Sequence, residues 1–225
     1  MSGVRVLVPP GVFRPLSDTW MLADALRVAT LPPRASVLDL CTGSGVLAVA
    51  AARRGAREVT AVDLSRRAVL AVRLNARANG VRVRALRGDL FAPVGRLRFD
   101  LIVSNPPYLP GEHEGVPRWG RERHWDAGAD GRALLDRIID QAPEHLRPGG
   151  SLMLVHSSIC GIGATLERMR AAGLEPGVVV RRRGPLGPLM SARVHTLERR
   201  GLLGAGRREE EVAVLRGRTP AGAVR

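Results

Sequence analysis

The chain has 225 residues, of which 45% are hydrophobic and 25% charged, a composition that fits one globular domain and excludes a disordered chain. The longest aliphatic stretch, residues 46–52, is far shorter than the roughly 20 residues that span a membrane, and no secretion signal opens the sequence. Two cysteines, Cys41 and Cys160, exclude a disulfide scaffold, and no Cys/His spacing fits zinc. We therefore expect no metal site and a reduced, cytoplasmic location.

The net charge of +14 comes entirely from arginine, because the 35 basic residues include no lysine. A strongly basic chain attracts polyanions, so contact with RNA or ribosomes is one interpretation. Compositional bias is the other, since alanine, glycine and valine are also abundant. The sequence leaves both interpretations open.

Helical and strand patterns alternate along the chain. Apolar periodicity after Ser17 and Asp18 predicts a capped helix within residues 12–28. The predicted strands are residues 36–41, 58–64, 81–86, 99–104, 151–156, 177–183 and 211–216. Further helices are predicted at residues 46–54, 66–79, 130–145, 163–172 and 189–200. This alternation predicts an α/β fold with a seven-stranded, mostly parallel sheet and helices on both faces.

We divide the chain into an N-terminal segment with its helix (residues 1–35), a core domain (residues 36–217) and a flexible tail (residues 218–225). In an open α/β sheet, ligands bind beyond the carboxyl ends of the strands. The loops after the first four predicted strands are therefore the candidates for a functional site.

The first strand runs into a glycine-rich turn, DLCTGSG, at residues 39–45. Gly43 and Gly45 permit a tight turn and close approach of a ligand to the backbone. Asp63 ends the next strand 20 residues after Gly43 and can accept the hydroxyls of a ribose. The spacing also fits a nicotinamide dinucleotide. Asp39, however, favours the cationic S-adenosylmethionine (SAM) over a pyrophosphate at this turn.

A third carboxylate, Asp89, follows the third strand and precedes Leu90. We interpret Asp89 as an acceptor for an adenine amino group and Leu90 as an apolar surface against the ring. Carboxylates at the ends of three successive strands support one adenosine site.

The fourth strand ends in Asn105-Pro106-Pro107-Tyr108, the most specific motif in the chain. The prolines fix φ and donate no hydrogen bonds, which leaves the Pro106 carbonyl open to a ligand. With the Asn105 side-chain carbonyl it offers two acceptors for a planar –NH2 group, and Tyr108 offers a flat face for stacking. Such bonds localise the nitrogen lone pair toward a methyl donor, so the motif predicts methyl transfer to an amide or a base amine.

The order DLCTGSG, AVDLS, GDLF and NPPY resembles the class I SAM-dependent methyltransferases, which have a Rossmann-like fold, and in particular the HemK-like protein-glutamine methyltransferases. PLSDT at residues 15–19 and WDAGADG at residues 125–131 extend the resemblance, which covers residues 12–180. It implies N5-methylation of a glutamine side chain in a protein such as a translation release factor or a ribosomal protein.

The resemblance also implies roles for individual residues. The catalytic motif comprises Asn105, Pro106, Pro107 and Tyr108. The residues implied in SAM binding are Thr19, Asp39, Cys41, Gly43, Gly45, Asp63, Leu64, Asp89, Leu90 and Asn105.

The short N-terminal segment resembles family members that work with a small zinc-binding activator, which covers an apolar edge of the third strand. Here Arg82 and Arg84 share one face of that strand. This favours a chain that acts alone, with an activator subunit as the alternative.

Other functions stay open. One is methylation of adenine N6 or guanine N2 in rRNA or DNA, where a paired base would have to be flipped out. Another is methylation of a small molecule, or SAM-dependent regulation without turnover. Candidates for substrate contact are Glu112, His113 and Glu114. Candidates for binding a phosphate backbone or an acidic protein surface are Arg118, Arg121 and Arg123, and the run Arg181, Arg182 and Arg183 is a candidate nucleic-acid patch. Solvent-exposed charge without a binding role is the alternative for each set.

Overall fold

The computed structural model describes residues 4–111 and 125–221, which form helices around one sheet. The strands are β1 (Ser36–Leu40), β2 (Glu58–Asp63), β3 (Arg84–Arg87), β4 (Phe99–Ser104), β5 (Leu146–Ser157), β6 (Glu175–Pro185) and β7 (Glu209–Arg218). The helices are α1 (Ser17–Val28), α2 (Val46–Arg53), α3 (Arg66–Ala78), α4 (Ala133–His145), α5 (Ile162–Ala171), α6 (Pro188–Ser191) and α7 (Val194–Arg199). In these described ranges, no helix has the length and apolar character to cross a membrane.

The seven strands lie in the order β3-β2-β1-β4-β5-β7-β6. β7 runs antiparallel to both of its neighbours, and the other pairs are parallel, which confirms the predicted fold class. Because the chain crosses the sheet between β3 and β4, the ends of β1 and β4 are neighbours. Leu40 of β1 pairs with Val62 on one side and Ser104 on the other.

Both faces of the central strands are buried, as in other parallel sheets covered by helices. Leu38 and Ile102 belong to an apolar cluster with α4 and α5. Val37 and Leu101, the preceding residues in each strand, belong to a second cluster with α1, α2 and α3. The alternation of a strand thus divides the core into two layers.

The structure corrects the predicted cap of the first helix. α1 begins at Ser17, and its N-cap residue is Leu16, which makes no side-chain capping bond. Asp18 lies inside the first turn and accepts a hydrogen bond from the Thr19 N–H at 2.6 Å. Ser65 caps α3 with its side chain.

Two predicted elements differ in extent. The third strand, predicted at residues 81–86, covers only Arg84–Arg87. It lies at the edge of the sheet, and its pairing with β2 starts with Thr60 and Arg84. The helix predicted at residues 189–200 is interrupted between α6 and α7, where Arg193 donates to the Pro110 carbonyl at 3.1 Å.

The last strand continues past the predicted domain boundary at residue 217. β7 ends at Arg218, and the Thr219 hydroxyl donates to the Arg147 carbonyl at 2.8 Å. The start of the predicted tail is therefore fastened to the sheet, and residues 222–225 lie outside the described ranges.

Candidate active site

A cavity of about 400 Å³ opens at the carboxyl ends of the central strands, where an open α/β sheet binds ligands. Its volume suits a small organic ligand. The predicted site residues that line it are Thr19, Cys41, Gly43, Asp63, Leu64, Asp89, Leu90, Asn105 and Pro107. The other predicted residues, Asp39, Gly45, Pro106 and Tyr108, are not part of its wall.

The turn after β1 has a backbone that favours glycine. The φ angle is 53° at Gly43 and 82° at Gly45, in the left-handed region. A Cβ on Gly45 would meet Val72 of α3 at 3.0 Å, whereas Gly43 has open space beside it. Cys41 has a φ of 54° without being glycine, a strain of the kind found at ligand sites.

Asp39 lies fully buried behind this turn. Its Oδ2 accepts hydrogen bonds from the Thr42 hydroxyl at 2.5 Å and from the Ala48 N–H in α2 at 3.0 Å. Oδ1 has no partner among the described residues, and burial raises the pKa of Asp39 to about 7. The sequence predicts a carboxylate that faces the ligand, but the structure shows one that fastens the turn to α2 from behind.

Asp63 reaches from the end of β2 to the glycine turn. Its Oδ2 accepts from the Gly43 N–H at 2.9 Å, and Oδ1 accepts from the Ser65 N–H at 2.8 Å. These bonds fix the carboxylate in one orientation at the cavity wall. Leu64 beside it is 52% exposed and gives the wall an apolar surface.

Asp89 and Leu90 line the cavity beyond β3. Asp89 accepts from the Arg137 guanidinium at 2.6 Å, and Arg137 lines the same cavity. No local motif marks Arg137, because it lies in α4, 48 positions from Asp89. Contact between Asp89 and an adenine amino group stays a prediction.

The first turn of α1 is tied to both ends of the Asn-Pro-Pro-Tyr motif. Asn105 donates from Nδ2 to the Thr19 hydroxyl at 2.8 Å. The Thr19 hydroxyl in turn donates to Asp18 Oδ1 at 3.4 Å. Tyr108 donates its hydroxyl to Asp18 Oδ2 at 2.8 Å. Because the amide nitrogen of Asn105 binds Thr19, the amide oxygen Oδ1 of Asn105 points away from Thr19, where it can accept a hydrogen bond.

Tyr108 anchors the motif in this structure, whereas the sequence predicts that its ring stacks on a substrate. Burial and the Asp18 carboxylate raise the pKa of Tyr108 well above its ordinary value, so the hydroxyl remains a donor. The Cys160 thiol donates to the Tyr108 carbonyl at 2.8 Å. Pro106 is buried, and Pro107 is the proline that reaches the cavity.

The N-terminal segment closes one side of the cavity with Val12, Phe13 and Pro15. The Phe13 ring also contacts the Trp125 ring, with centroids 6.4 Å apart. Val12 and Phe13 were missed because they carry no polar chemistry that a motif could mark. The candidates Glu112, His113, Glu114, Arg118, Arg121 and Arg123 lie outside the described residues.

The residues present fit SAM. Asp63 places a carboxylate at the wall, and Asp89 adds a second one that is paired with Arg137; a carboxylate beside the ligand suits a cationic donor. Leu64 and Leu90 add apolar surface for a flat ring. The described ranges contain no cluster of three potential metal ligands. Burial raises the pKa of the Cys41 thiol, so Cys41 is an inert part of the wall.

Family comparison agrees with this geometry. Residues 4–118 match the model of the methyltransferase small domain. The chain belongs to this family. Membership confirms the prediction that the chain is a methyltransferase with SAM as its methyl donor.

Curated relatives of this methyltransferase carry names that refer to glutamine. A Methanocaldococcus jannaschii protein, provisionally named a protein N5-glutamine methyltransferase, is 31% identical over 84% of this chain and 94% of its own length. The release factor glutamine methyltransferase of Geobacter sulfurreducens is 42% identical over 68% of this chain and 55% of its own. The ribosomal protein uL3 glutamine methyltransferase of Bradyrhizobium diazoefficiens is 40% identical over 72% and 52%. The chain thus spans about half the length of the latter two.

A solved structure shares the fold of this methyltransferase. It is the Mtq2–Trm112 complex of E. cuniculi, described as responsible for methylation of the eRF1 termination factor. The TM-score is 0.63 over 93% of this chain and 99% of that one, with 24% identity. At that identity the likeness shows the fold alone.

Proposed function

We propose that this methyltransferase modifies the N5 nitrogen of a glutamine side chain in a protein of the translation apparatus, with a release factor as the first candidate. The observation that carries the proposal is Asn105, whose acceptor oxygen is oriented by Thr19 in the cavity that the strand-end loops also line. The names of two relatives support this chemistry. A third makes a ribosomal protein the second candidate.

A glutamine amide is a poor nucleophile because its nitrogen lone pair is delocalised into the carbonyl group. In the proposed mechanism, Asn105 Oδ1 accepts one amide hydrogen, and the backbone carbonyl of Pro106, a residue that is buried beside the cavity wall, accepts the other. These bonds favour a more tetrahedral nitrogen with a localised lone pair. SAM supplies a methyl group bonded to a cationic sulfur.

Alignment and electrostatics lower the barrier in this mechanism, and no strong base has to act first. The nitrogen becomes more positive as it is methylated, and the Asn105 and Pro106 oxygens stabilise that charge. Water takes the proton afterwards, and the sulfur of SAM would keep the electron pair of the carbon–sulfur bond that breaks. Asp18 and Tyr108 contribute by holding the motif in place.

Mass spectrometry after incubation with SAM tests the substrate. Separate reactions contain the purified chain with a release factor, with ribosomal protein uL3 and with total RNA. We expect one methyl group on a glutamine of a protein substrate, and none when Asn105→Ala replaces the wild type. Methyl groups found only on adenine N6 or guanine N2 of RNA would overturn the proposal and favour the base-methylation alternative.

We also propose that the chain acts without an activator subunit. β3 lies at the sheet edge and is only four residues long, and the exposed arginines Arg82, Arg84 and Arg87 charge that edge. Short, charged edges resist docking of another chain. Turnover by the purified chain alone is expected. Turnover that requires a small copurifying protein would contradict this.

A further inference from the structure

The segment from residue 66 to residue 88, which contains α3 and β3, has seven arginines and neither aspartate nor glutamate. Arg73 and Arg77, one helical turn apart in α3, and Arg82 beyond it line one shallow groove of about 480 Å³. Leu74 and Val83 contribute apolar surface. We call this surface the basic groove. None of its residues lines the methyltransferase cavity.

The arginines of the basic groove differ from Arg181 and Arg183 of β6 in their partners. Arg181 and Arg183 of β6 are paired with Glu211 at 3.0 Å and Glu209 at 2.7 Å on β7. Within the described ranges, Arg73, Arg77 and Arg82 form no ion pair. The charges of Arg181 and Arg183 are thus neutralised locally, whereas those of the three groove arginines are available to a partner.

We infer that the basic groove binds the phosphate backbone of RNA. Three guanidinium groups around one groove suit a polymer that carries a negative charge on every unit, and arginine binds phosphate well. The groove contains no aromatic side chain on which a base could stack, so binding is independent of sequence. The choice of RNA over DNA rests on the proposed function, because the translation apparatus brings RNA close to the protein substrate.

Fluorescence anisotropy with a labelled single-stranded RNA tests this inference. The variant R73Q/R77Q/R82Q removes the three groove arginines. The control R96Q/R170Q/R207Q removes the same charge from exposed arginines in three separate parts of the fold. We expect the groove variant to bind RNA at least about tenfold more weakly and to lower the salt slope by about 2, at roughly 0.7 per lost phosphate contact. The control should remain close to the wild type.

Equal weakening of both variants would overturn the inference, because the net charge of the whole chain would then explain binding. Failure of the wild type to bind would also overturn it, as would equally effective displacement of the RNA by poly-glutamate, which would indicate an acidic protein partner. Methylation of the isolated protein substrate is measured in parallel and should be unchanged in both variants. Loss of RNA binding is thereby distinguished from failure of the proposed function.

Discussion

Asn105 and Asp63 line the same cavity but belong to different steps of the proposed reaction. Asn105→Ala removes the acceptor for the substrate amide, so turnover should fall by at least about 100-fold, as for other groups that act in the transition state. SAM affinity should stay within about tenfold of the wild type. Radiolabelled methyl transfer and titration calorimetry measure the two quantities. A large loss of SAM affinity would place Asn105 mainly in cofactor binding.

Asp63→Ala should have the opposite effect. The carboxylate orders the glycine turn through Gly43 and is the predicted acceptor for the ribose. Loss of hydrogen bonds to a charged group costs roughly 1.5–3 kcal/mol, so SAM should bind about 10- to 100-fold more weakly. Turnover at saturating SAM should fall much less. Unchanged affinity in calorimetry would remove Asp63 from the cofactor site.

Asp39 should make stability depend on pH. Its pKa rises from 3.8 to about 7, so between these values the folded chain holds a proton that the unfolded chain has released. This contribution is complete below pH 3.8 and is lost as the pH rises through about 7. Asp39→Asn keeps an acceptor and never ionises. Its stability relative to wild type should therefore increase with pH, by up to about 1.4 kcal/mol per pH unit.

Urea unfolding of both proteins at pH 5, 6 and 7 measures this difference. Other titrating groups, including His156, whose pKa burial lowers to about 4, are common to both proteins and cancel. Parallel pH profiles would show that Asp39 is charged in the folded chain at all three values.

At the scale of elements, the bond between Tyr108 and Asp18 joins α1 to the loop after β4. Tyr108→Phe keeps the ring but loses a hydrogen bond to a charged group, which should cost roughly 1.5–3 kcal/mol of unfolding free energy. Asp18→Asn keeps an uncharged acceptor and should cost less. Both should lower turnover, because Asn105 is oriented through the same turn of α1. Thermal unfolding and initial rates test this, and normal turnover in Tyr108→Phe would contradict it.

The elements show what local sequence predicts and what it misses. The apolar run before Asn-Pro-Pro predicts the limits of β4, and the predicted and observed limits agree to the residue. β5 begins at Leu146, before the Pro148-Gly149-Gly150 turn signal. That segment is held partly by Thr219, which donates to the Gly150 carbonyl at 2.9 Å. A contact between residues 69 positions apart, such as Thr219 and Gly150, does not affect the periodicity of the local sequence.

The site follows the same rule. Asp63, Asp89 and Asn105 were found because each stands directly after an apolar strand, and parallel strands bring their ends together. The pairing of Asp18 with Tyr108 joins positions 90 apart. Arg137 likewise joins the cavity through helix packing. Such pairs depend on the three-dimensional arrangement, which spacing alone does not encode.

For the whole molecule, SAM should stabilise the fold by binding only the folded state. At 100 times its Kd, the gain is about 2.7 kcal/mol, which corresponds to roughly 5–10 °C in Tm for a chain of this size. NAD, the alternative ligand of a glycine turn of this kind, should leave Tm unchanged. A rise with NAD and none with SAM in differential scanning fluorimetry would refute the cofactor assignment.

The strand order has a consequence for how the molecule is made. β6 is synthesised before β7 yet touches β5 only through it, so the nascent polypeptide carries β6 for a time with no strand to join. Val179 and Val180 remain partly exposed even in the finished sheet. Arg181, Arg182 and Arg183 follow them directly, and such clustered charge discourages self-association of an orphan strand. We therefore expect these arginines to protect the growing polypeptide from aggregation before β7 is synthesised.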